Sequence, residues 1–410
     1  MQVLYERCCG LDVHKKHVTA CLVRSGPRGT HHKEQRTFST MTADLLRLRA
    51  WLVEAGCTHV ALESTGSYWK PIYNILEGYV DLILANPQHV KGLPGRKTDV
   101  GDAEWLADLL RHGLIRASFI PPKSQRELRE LTRYRKSLIQ QRSAETNRIQ
   151  KVLEGANIKL ASVATDITGR SSRAMLKALC DGMTDTALMA DFAQGRMRPK
   201  IPALKQALDG TMGDHQRFLL AQQLTAIDAF DDAIATCSAE IAQRMQPWQE
   251  QMTRLCSIPG IGQRLAEVIL AEIGADMSRF PSQHHLASWA GMCPGNHESG
   301  GKRYSGKTRK GSPWLREALV EAAHAAARAK TTYLGAQYQR FAARRGGNKA
   351  VIAVGHSILV IVYHLLKDGG TYEDLGPTYF DQLGREQVQR RLVRRLEAMG
   401  NVVTVTPLQA

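Results

Sequence analysis

The stretch RCCGLDVHKKHVTACLVR (residues 7–24) decides the fold class of the first part of this chain. Each half is a short apolar run, and the polar HKK between them is typical of a tight turn. The pattern therefore predicts two strands joined by a short connection. Asp12 lies at the end of the first predicted strand.

Strands and helices alternate after this hairpin. TADLLRLRAWLVEAG (residues 42–56) has the apolar spacing of a helix. HVALESTGSYW (residues 59–69) and YVDLILANP (residues 79–87) predict further strands, and Glu63 ends the first of them. This alternation indicates an α/β sheet.

A second pair of carboxylates opens the segment KTDVGDAEWLADLL (residues 97–110). Asp99 and Asp102 are three residues apart, and residues at this spacing are neighbours on one helix face. Acidic residues also favour a helix N-terminus because of the helix dipole, so Asp99 is alternatively a simple cap. Glu104 and Asp108 are expected to be solvated charges of the same helix.

These four carboxylates require an explanation because clustered negative charges repel one another. Mg²⁺ supplies one, since it prefers oxygen ligands and retains waters for a substrate phosphate. Two such ions, ~4 Å apart, would stabilise the attacking and leaving oxygens of a phosphodiester. The neighbouring loop HVKGLPGRKTD (residues 89–99) adds Lys91, Arg96 and Lys97. It either contacts a nucleic-acid backbone or is an ordinary soluble loop.

The charge balance indicates a polyanionic partner. The 410 residues, enough for two or three domains, include 55 Lys and Arg against 39 Asp and Glu, a net charge of +16. Basic proteins bind nucleic acids because phosphate contacts release counterions. An anionic membrane is the competing partner, but no basic amphipathic helix with a bulky aromatic face is evident.

The cysteine pattern and the N-terminus are typical of a cytoplasmic protein. None of the eight cysteines forms a C-x-x-C pair, so reduced thiols are expected. The first residues also lack the order of a signal peptide. AVIAVGHSILVIVYHLL (residues 350–366) is at the short limit for a membrane span, and a buried helix is the better interpretation.

Two long helices are predicted in the middle of the chain. Residues 123–159 are strongly basic, with a loose apolar heptad seam that contains Arg135 and Arg142. LLAQQLTAIDAFDDAIATCSAEIAQRM (residues 219–245) has a cleaner coiled-coil period. The two apolar stripes either pair with each other or pair with the same helices of another subunit.

LCSIPGIGQRLAEVILAEIG (residues 255–274) resembles a helix-hairpin-helix. In that motif a hairpin directs backbone N–H groups at a phosphate beside a helix N-terminus. Gly260 and Gly262 would allow the close approach. The alternative is a tight connection between two helices.

The segment PGNHESGGKRYSGKTRKGS (residues 294–312) predicts a mobile basic loop. Its cations are Lys302, Arg303, Lys307, Arg309 and Lys310. Ser299 lies in its ESGG stretch, and a serine hydroxyl is a poor nucleophile without a base or cation to activate it. Composition alone favours an ordinary loop serine.

Four motifs in order carry a family resemblance: GLDVHKK, ALESTGSYW, ANPQHVKGLPGRKTDVGDAEWLADLL and PGNHESGGKRYSGKTRKGSPWLREAL. Together they resemble the transposases of insertion-sequence family one-ten, relatives of the Piv DNA invertase. The N-terminal domain of that family is similar to the RuvC resolvase, with an RNase H fold and a D-E-D-D tetrad. The resemblance implies that Asp12, Glu63, Asp99 and Asp102 are catalytic metal ligands, for Mg²⁺ or alternatively Mn²⁺.

The resemblance also changes the interpretation of the serine. In the family, the serine of this S-G motif attacks DNA and forms a covalent 5′-phosphoserine, in a composite site with the tetrad. The matching residue is Ser299, whereas Ser305 and Ser312 fall outside the motif.

The implied architecture is an α/β domain followed by mostly helical regions. Residues 1–122 would form the RuvC-like domain and 123–250 a coiled-coil dimerisation region. Residues 251–345 would form the transposase domain, and 346–410 a helical extension. The family further implies donor and target double-stranded DNA, a structured bridge RNA, and a homo-oligomer from dimer to tetramer.

Two other functions remain possible at this stage. A metal-dependent nuclease of the junction-resolvase type would use the tetrad with water, form no adduct, and tolerate Ser299→Ala. A non-catalytic nucleic-acid binder would tolerate Asp12→Ala and Ser299→Ala together.

Overall fold

The structure of the protein is a computed structural model. It describes residues 2–26, 30–64, 66–86, 90, 101–295, 297–383 and 385–405, with the backbone alone for 297–299, 303–305, 385 and 387–388. Asp99, Lys91, Arg96 and Lys97 lie outside the described residues. The chain divides into two units, Met1–Pro121 and Pro122–Ala410.

The first unit is a mixed sheet with helices on both faces. Its strands are β1 (Arg7–Val13), β2 (His17–Ser25), β3 (His31–Ser39), β4 (His59–Glu63) and β5 (Asp81–Ala85), in the order β3-β2-β1-β4-β5. Its helices are α1 (Thr42–Glu54), α2 (Trp69–Leu76) and α3 (Asp102–Arg111). β1 is antiparallel to β2 and parallel to β4, so the predicted α/β sheet is confirmed.

Strand β3 was not predicted from the sequence. Its residues HHKEQRTFS are mostly polar and partly exposed, because β3 is an edge strand that pairs only with β2. From it, the Lys33 ammonium lies 2.7 Å from a Glu104 carboxylate oxygen and 3.9 Å from Asp108. Asp108 is 41% exposed, as expected of a solvated helix charge, whereas Glu104 is partly buried and paired with a cation of the edge strand.

The second unit is helical apart from one small hairpin, within the residues that the structure describes. Its α-helices are α4 (Lys123–Gly155), α5 (Leu160–Val163), α6 (Arg170–Cys180), α7 (Thr186–Ala190), α8 (Ile201–Leu208), α9 (Asp214–Arg244), α10 (Gln249–Cys256), α11 (Gln263–Ile273), α12 (Gln283–Trp289), α13 (Pro313–Arg328), α14 (Tyr333–Arg345), α15 (Gly347–Asp368), α16 (Tyr379–Leu383) and α17 (Arg385–Glu397). Short 3₁₀ turns occupy Gly195–Lys200, Gln246–Trp248 and Met277–Arg279. The hairpin consists of β6 (His297–Ser299) and β7 (Lys302–Ser305).

The long helices α4 and α9 pack against each other within the chain. Leu128 joins Ile241 in one hydrophobic core, and Ile149 joins Ile227 in another. Arg142, a polar member of the predicted seam, lies 2.5 Å from an Asp231 carboxylate oxygen on α9. The first of the two pairings is therefore observed. The second, pairing with another subunit, is the one that the family resemblance favours, and it was the wrong expectation for these apolar side chains because they are already buried inside one chain.

Helix α15 is the buried helix that the sequence predicts for residues 350–366. By length and composition it would be able to cross a membrane, but Val354, Ile358, Leu359 and Val362 are fully buried. They belong to the same core as Leu315 of α13. The hydrophobic core is therefore continuous across residue 346, where the sequence predicts the boundary between the transposase domain and the helical extension.

Candidate active site

Parallel pairing of β1 and β4 brings Asp12 and Glu63 to the same edge of the sheet. Leu11 is in register with Leu62, so the two acids follow at the same level. Side chains alternate along a strand, and Leu11 and Leu62 lie in the core on the α1 and α2 side. Asp12 and Glu63 therefore project to the opposite face, which α3 covers.

Helix α3 runs antiparallel to β1 and begins at this edge. The backbone N–H groups of Leu4 and Tyr5, before β1, donate to the Arg111 carbonyl at the end of α3. Gly10, further along β1, lies against Ala103 near the start of α3. Asp102, the first residue of α3, is thus directed to the edge that carries Asp12 and Glu63.

Helix α3 begins at Asp102, and Gly101 is its N-cap with an extended backbone. Asp99, which the sequence predicts either beside Asp102 on one helix face or as a simple cap, lies outside the described residues.

The acidic edge fits an oxygen-preferring cation in donor type. The strand ends that carry Asp12 and Glu63 lie at the same sheet edge as the positive N-terminal end of α3, and the Asp12 carboxylate lies 3.1 Å from the His14 imidazole. Within the described ranges, no three His, Cys, Asp or Glu side chains are grouped closely enough to hold a metal ion.

Gly10 sets the distance between β1 and α3. A Cβ there would lie 2.1 Å from the Ala103 carbonyl oxygen and 2.5 Å from the Ala107 nitrogen.

Gly10→Ala is expected to displace α3, reduce the free energy of unfolding by about 1–3 kcal/mol, and abolish activity that depends on Asp102. Denaturant unfolding measures the first effect. Gly155→Ala, where nothing lies within 4 Å of the added Cβ, is the matched control and should remain stable.

The predicted helix-hairpin-helix consists of α10, a turn and α11. Gly260 has φ +94°, and a Cβ there would lie 2.3 Å from the Ala322 carbonyl oxygen on α13. Its close approach therefore packs the turn against α13, and the expectation that Gly260 also allows a phosphate to approach stays a prediction. Gly262 is the exposed N-cap of α11 with open space around its Cα, so it retains that possibility.

The predicted mobile loop is a β-hairpin. Ser299 pairs with Lys302 across a turn whose Gly300 and Gly301 have φ +58° and +74°. Positive φ at both central residues is typical of the type I′ turn, and glycine adopts it without strain. Ser299 is thus the last residue of β6, on a defined backbone beside a cationic residue.

The base of this hairpin is fastened to α13. The Gly295 N–H donates to the Lys307 carbonyl at 2.8 Å, and the Arg316 guanidinium donates to the Thr308 hydroxyl at 2.6 Å. Ser312 caps α13 by accepting from the Leu315 N–H. Ser312 is therefore a structural residue, in agreement with its position outside the motif.

Sequence reasoning missed a buried ionic network that joins α4 to α11. Arg133 donates from Nε and Nη2 to the two Glu272 carboxylate oxygens, at 2.8 and 3.0 Å, and the Ser312 hydroxyl donates to the same carboxylate. Arg135 lies 2.6 Å from Glu267, and both side chains are 3% exposed. Arg135, a charged residue in an otherwise apolar seam, was the available signal.

The buried cysteines of this chain are poor candidates for a catalytic nucleophile. All eight cysteines are free, and burial raises the pKa of Cys8 and of Cys57 to about 12. These buried thiols remain neutral at physiological pH, whereas thiolates are the reactive form.

Comparisons with known proteins agree with this arrangement. Residues 9–158 match a family model for DEDD-type transposases, and residues 252–339 match one described as "Transposase IS116/IS110/IS902 family". The chain is 26% identical to the transposase for insertion sequence element IS1111A of Coxiella burnetii, over 78% of this chain and 80% of that protein. It is 25% identical to the pilin gene-inverting protein of Moraxella lacunata, over 71% and 73% of the two chains.

The two family models together cover more than half of the chain and include the acidic edge and the serine hairpin. The DEDD-type domain implies dependence on a divalent metal, and the relatives rearrange DNA. The chain is therefore a DNA-rearranging enzyme that belongs to the IS110 family of insertion-sequence transposases.

Proposed function

We propose that this transposase cleaves and rejoins donor and target DNA through a covalent 5′-phosphoserine at Ser299, together with an acidic tetrad on an RNase H-like domain. The observation that supports the proposal is that the ends of β1 and β4, which carry Asp12 and Glu63, and the start of α3, which carries Asp102, lie at one edge of the sheet. The family resemblance supports Asp99 as the fourth member of the tetrad. It also supports the proposal that the tetrad and the serine act in one reaction.

The proposed step conserves the number of phosphoester bonds. The Ser299 hydroxyl oxygen attacks phosphorus, the bond to the 3′ oxygen breaks, and the serine proton is transferred overall to that oxygen. A 3′ hydroxyl of the partner strand then attacks the ester and releases Ser299. The exposed Lys302 and the cations at the hairpin base, Arg309 and Lys310, would stabilise the charge on the phosphate.

A divalent cation, Mg²⁺ or alternatively Mn²⁺, would be held by Asp12, Glu63, Asp99 and Asp102, and would supply Lewis acidity. Other features of the chain position the acidic side chains. The N-terminus of α3 moderates repulsion between the carboxylates, and Gly10 allows α3 to approach closely enough to present Asp102.

The proposed partners are two double-stranded DNAs and a structured bridge RNA, in a cytoplasmic homo-oligomer of two to four chains. The net charge of +16 suits such polyanions. RNA guidance and assembly are supported by the resemblance, in which base pairing selects the sites. Because α4 and α9 bury their apolar stripes within one chain, a dimer would use other faces of these helices.

Asp102→Asn tests the acidic edge. We expect cleavage of a plasmid substrate to fall by about 100-fold or more, because metal-assisted charge stabilisation contributes several kcal/mol, while DNA binding persists. The rate is measured across a Mg²⁺ titration, with EDTA as the zero point. The matched control is Asp108→Asn on the same helix, where the acid faces Lys33. If Asp102→Asn cleaves the plasmid at the wild-type rate, Asp102 is not part of the active site.

A further inference from the structure

A cleft lies between α4, α11 and α13, all within the second unit. Its volume is about 150 Å³, roughly five times the ~30 Å³ share of one liquid water. Its apolar walls are formed by Ile139, Leu265, Val268, Trp314 and Ala318. The cleft is therefore large enough for one small ring system.

The charges at its rim are nearly balanced. The Arg133 guanidinium lies 5.7 Å from the Trp314 ring centroid, and its charge is neutralised by the Glu272 carboxylate. The Lys136 ammonium lies 3.1 Å from Glu317 and 3.6 Å from Glu321, whose side chains are 47% and 59% exposed. A neutral, flat ligand suits this interior, and the two exposed carboxylates are able to accept hydrogen bonds from its amino groups.

One exposed cation lines the cleft without an ion-pair partner in the described part of the chain, and this is Arg264. It is the second residue of α11, two positions after the open N-cap at Gly262. Leu265 and Val268 continue along α11 into the cleft, so one edge of α11 offers a phosphate contact and then an apolar wall.

We propose that this cleft holds one unstacked nucleobase, with Trp314 stacking on its face and its phosphate beside Gly262 and Arg264. Every base has a π-face that an aromatic side chain can stack on. The acids at the rim favour bases with an exocyclic amino group over thymine and uracil. The inference rests on the proposed phosphate contact at the helix-hairpin-helix, and it goes beyond strand cleavage because it assigns a separate base-binding site.

The test compares three duplexes: fully paired, with one unpaired cytosine, and with an abasic residue in place of that cytosine. Binding of the full chain is measured by fluorescence anisotropy in EDTA, where no cleavage is expected. The wild type should prefer the unpaired cytosine by roughly tenfold, which corresponds to one base–aromatic stack. The abasic residue should abolish this preference. DNA and RNA versions of the duplexes identify which nucleic acid supplies the base.

Variants locate the effect in the cleft. Trp314→Ala should bind all three duplexes equally, whereas Trp314→Phe should retain most of the preference. The matched control is Tyr134→Ala, since Tyr134 is 59% exposed on α4 and does not line the cleft. An unpaired 5-iodocytosine should crosslink to Trp314 under ultraviolet light, as mapped by mass spectrometry.

The proposal is overturned if the wild type binds the unpaired cytosine and the abasic residue equally in both DNA and RNA. Crosslinks that map outside the cleft would overturn it as well. Because these measurements need neither a nucleophile nor a metal ion, their failure leaves the proposed serine chemistry untouched. Failure of that chemistry likewise leaves this binding result intact.

Discussion

Ser299→Ala is expected to abolish the covalent protein–DNA conjugate and to reduce strand transfer by at least about 10³-fold, because removing a nucleophile removes the covalent route. DNA and RNA binding should remain close to wild type. The hairpin pairs Ser299 with Lys302 through the backbone, and alanine preserves that backbone. The loss would therefore be chemical and not a loss of folding.

The measurement is a stalled recombination reaction that is denatured and run on a gel, with the conjugate mapped by mass spectrometry. Ser305→Ala is the matched control, because Ser305 is in the same hairpin, opposite His297 and outside the ESGG stretch. Continued cleavage by Ser299→Ala without any conjugate would indicate the hydrolytic nuclease. Recombination that survives both Asp12→Ala and Ser299→Ala would show that neither residue takes part in the chemistry.

Glu267→Ala is expected to reduce the free energy of unfolding by about 3–5 kcal/mol, because it leaves a buried cation without its partner. The Arg135 guanidinium lies 2.6 Å from Glu267, and its side chain is 3% exposed. The remaining acceptors cannot replace the carboxylate, since Glu272 is already bound by Arg133 and Ser312. The double variant Arg135→Met with Glu267→Leu should be near wild-type stability, as apolar replacements of buried ion pairs often are.

Denaturant unfolding of the full chain checks this prediction. Glu154→Ala is the control, because Glu154 is paired with Lys159 at the surface and such pairs contribute little. Its unfolding midpoint should stay at the wild-type value. If Glu267→Ala has the same midpoint as this control, the buried pair does not stabilise the junction between α4 and α11.

Local sequence patterns were sufficient for the first unit's acidic edge. The runs RCCGLDV and HVALE are short and largely apolar, as is typical of buried strands, which placed Asp12 and Glu63 at strand ends. This works because a short apolar run depends only on neighbouring residues. Edge strand β3 was not predicted because its residues are mostly polar and lack the apolar pattern of a buried strand.

Contacts between distant segments were decided only by the tertiary structure. An apolar stripe shows that a helix face is buried but does not identify its partner, and α4 and α9 pack on each other across the intervening helices. Gly260 gave the signal of a close approach, but its neighbour is Ala322 of α13. Glycines near Ser299 suggested mobility, whereas their positive φ values close a hairpin.

The sequence by itself determined the family, the α/β character of the first unit, and the acids and serine that carry the proposed chemistry. These follow from motifs and short-range periodicity, which depend on neighbouring residues. Only the tertiary structure decided that Asp102 enters the same edge from α3, that Arg135 has Glu267 as its counter-ion, and that Trp314 lines a cleft beside α11. The physical reason is that packing joins side chains far apart in the chain, and no local pattern records which distant group completes a contact.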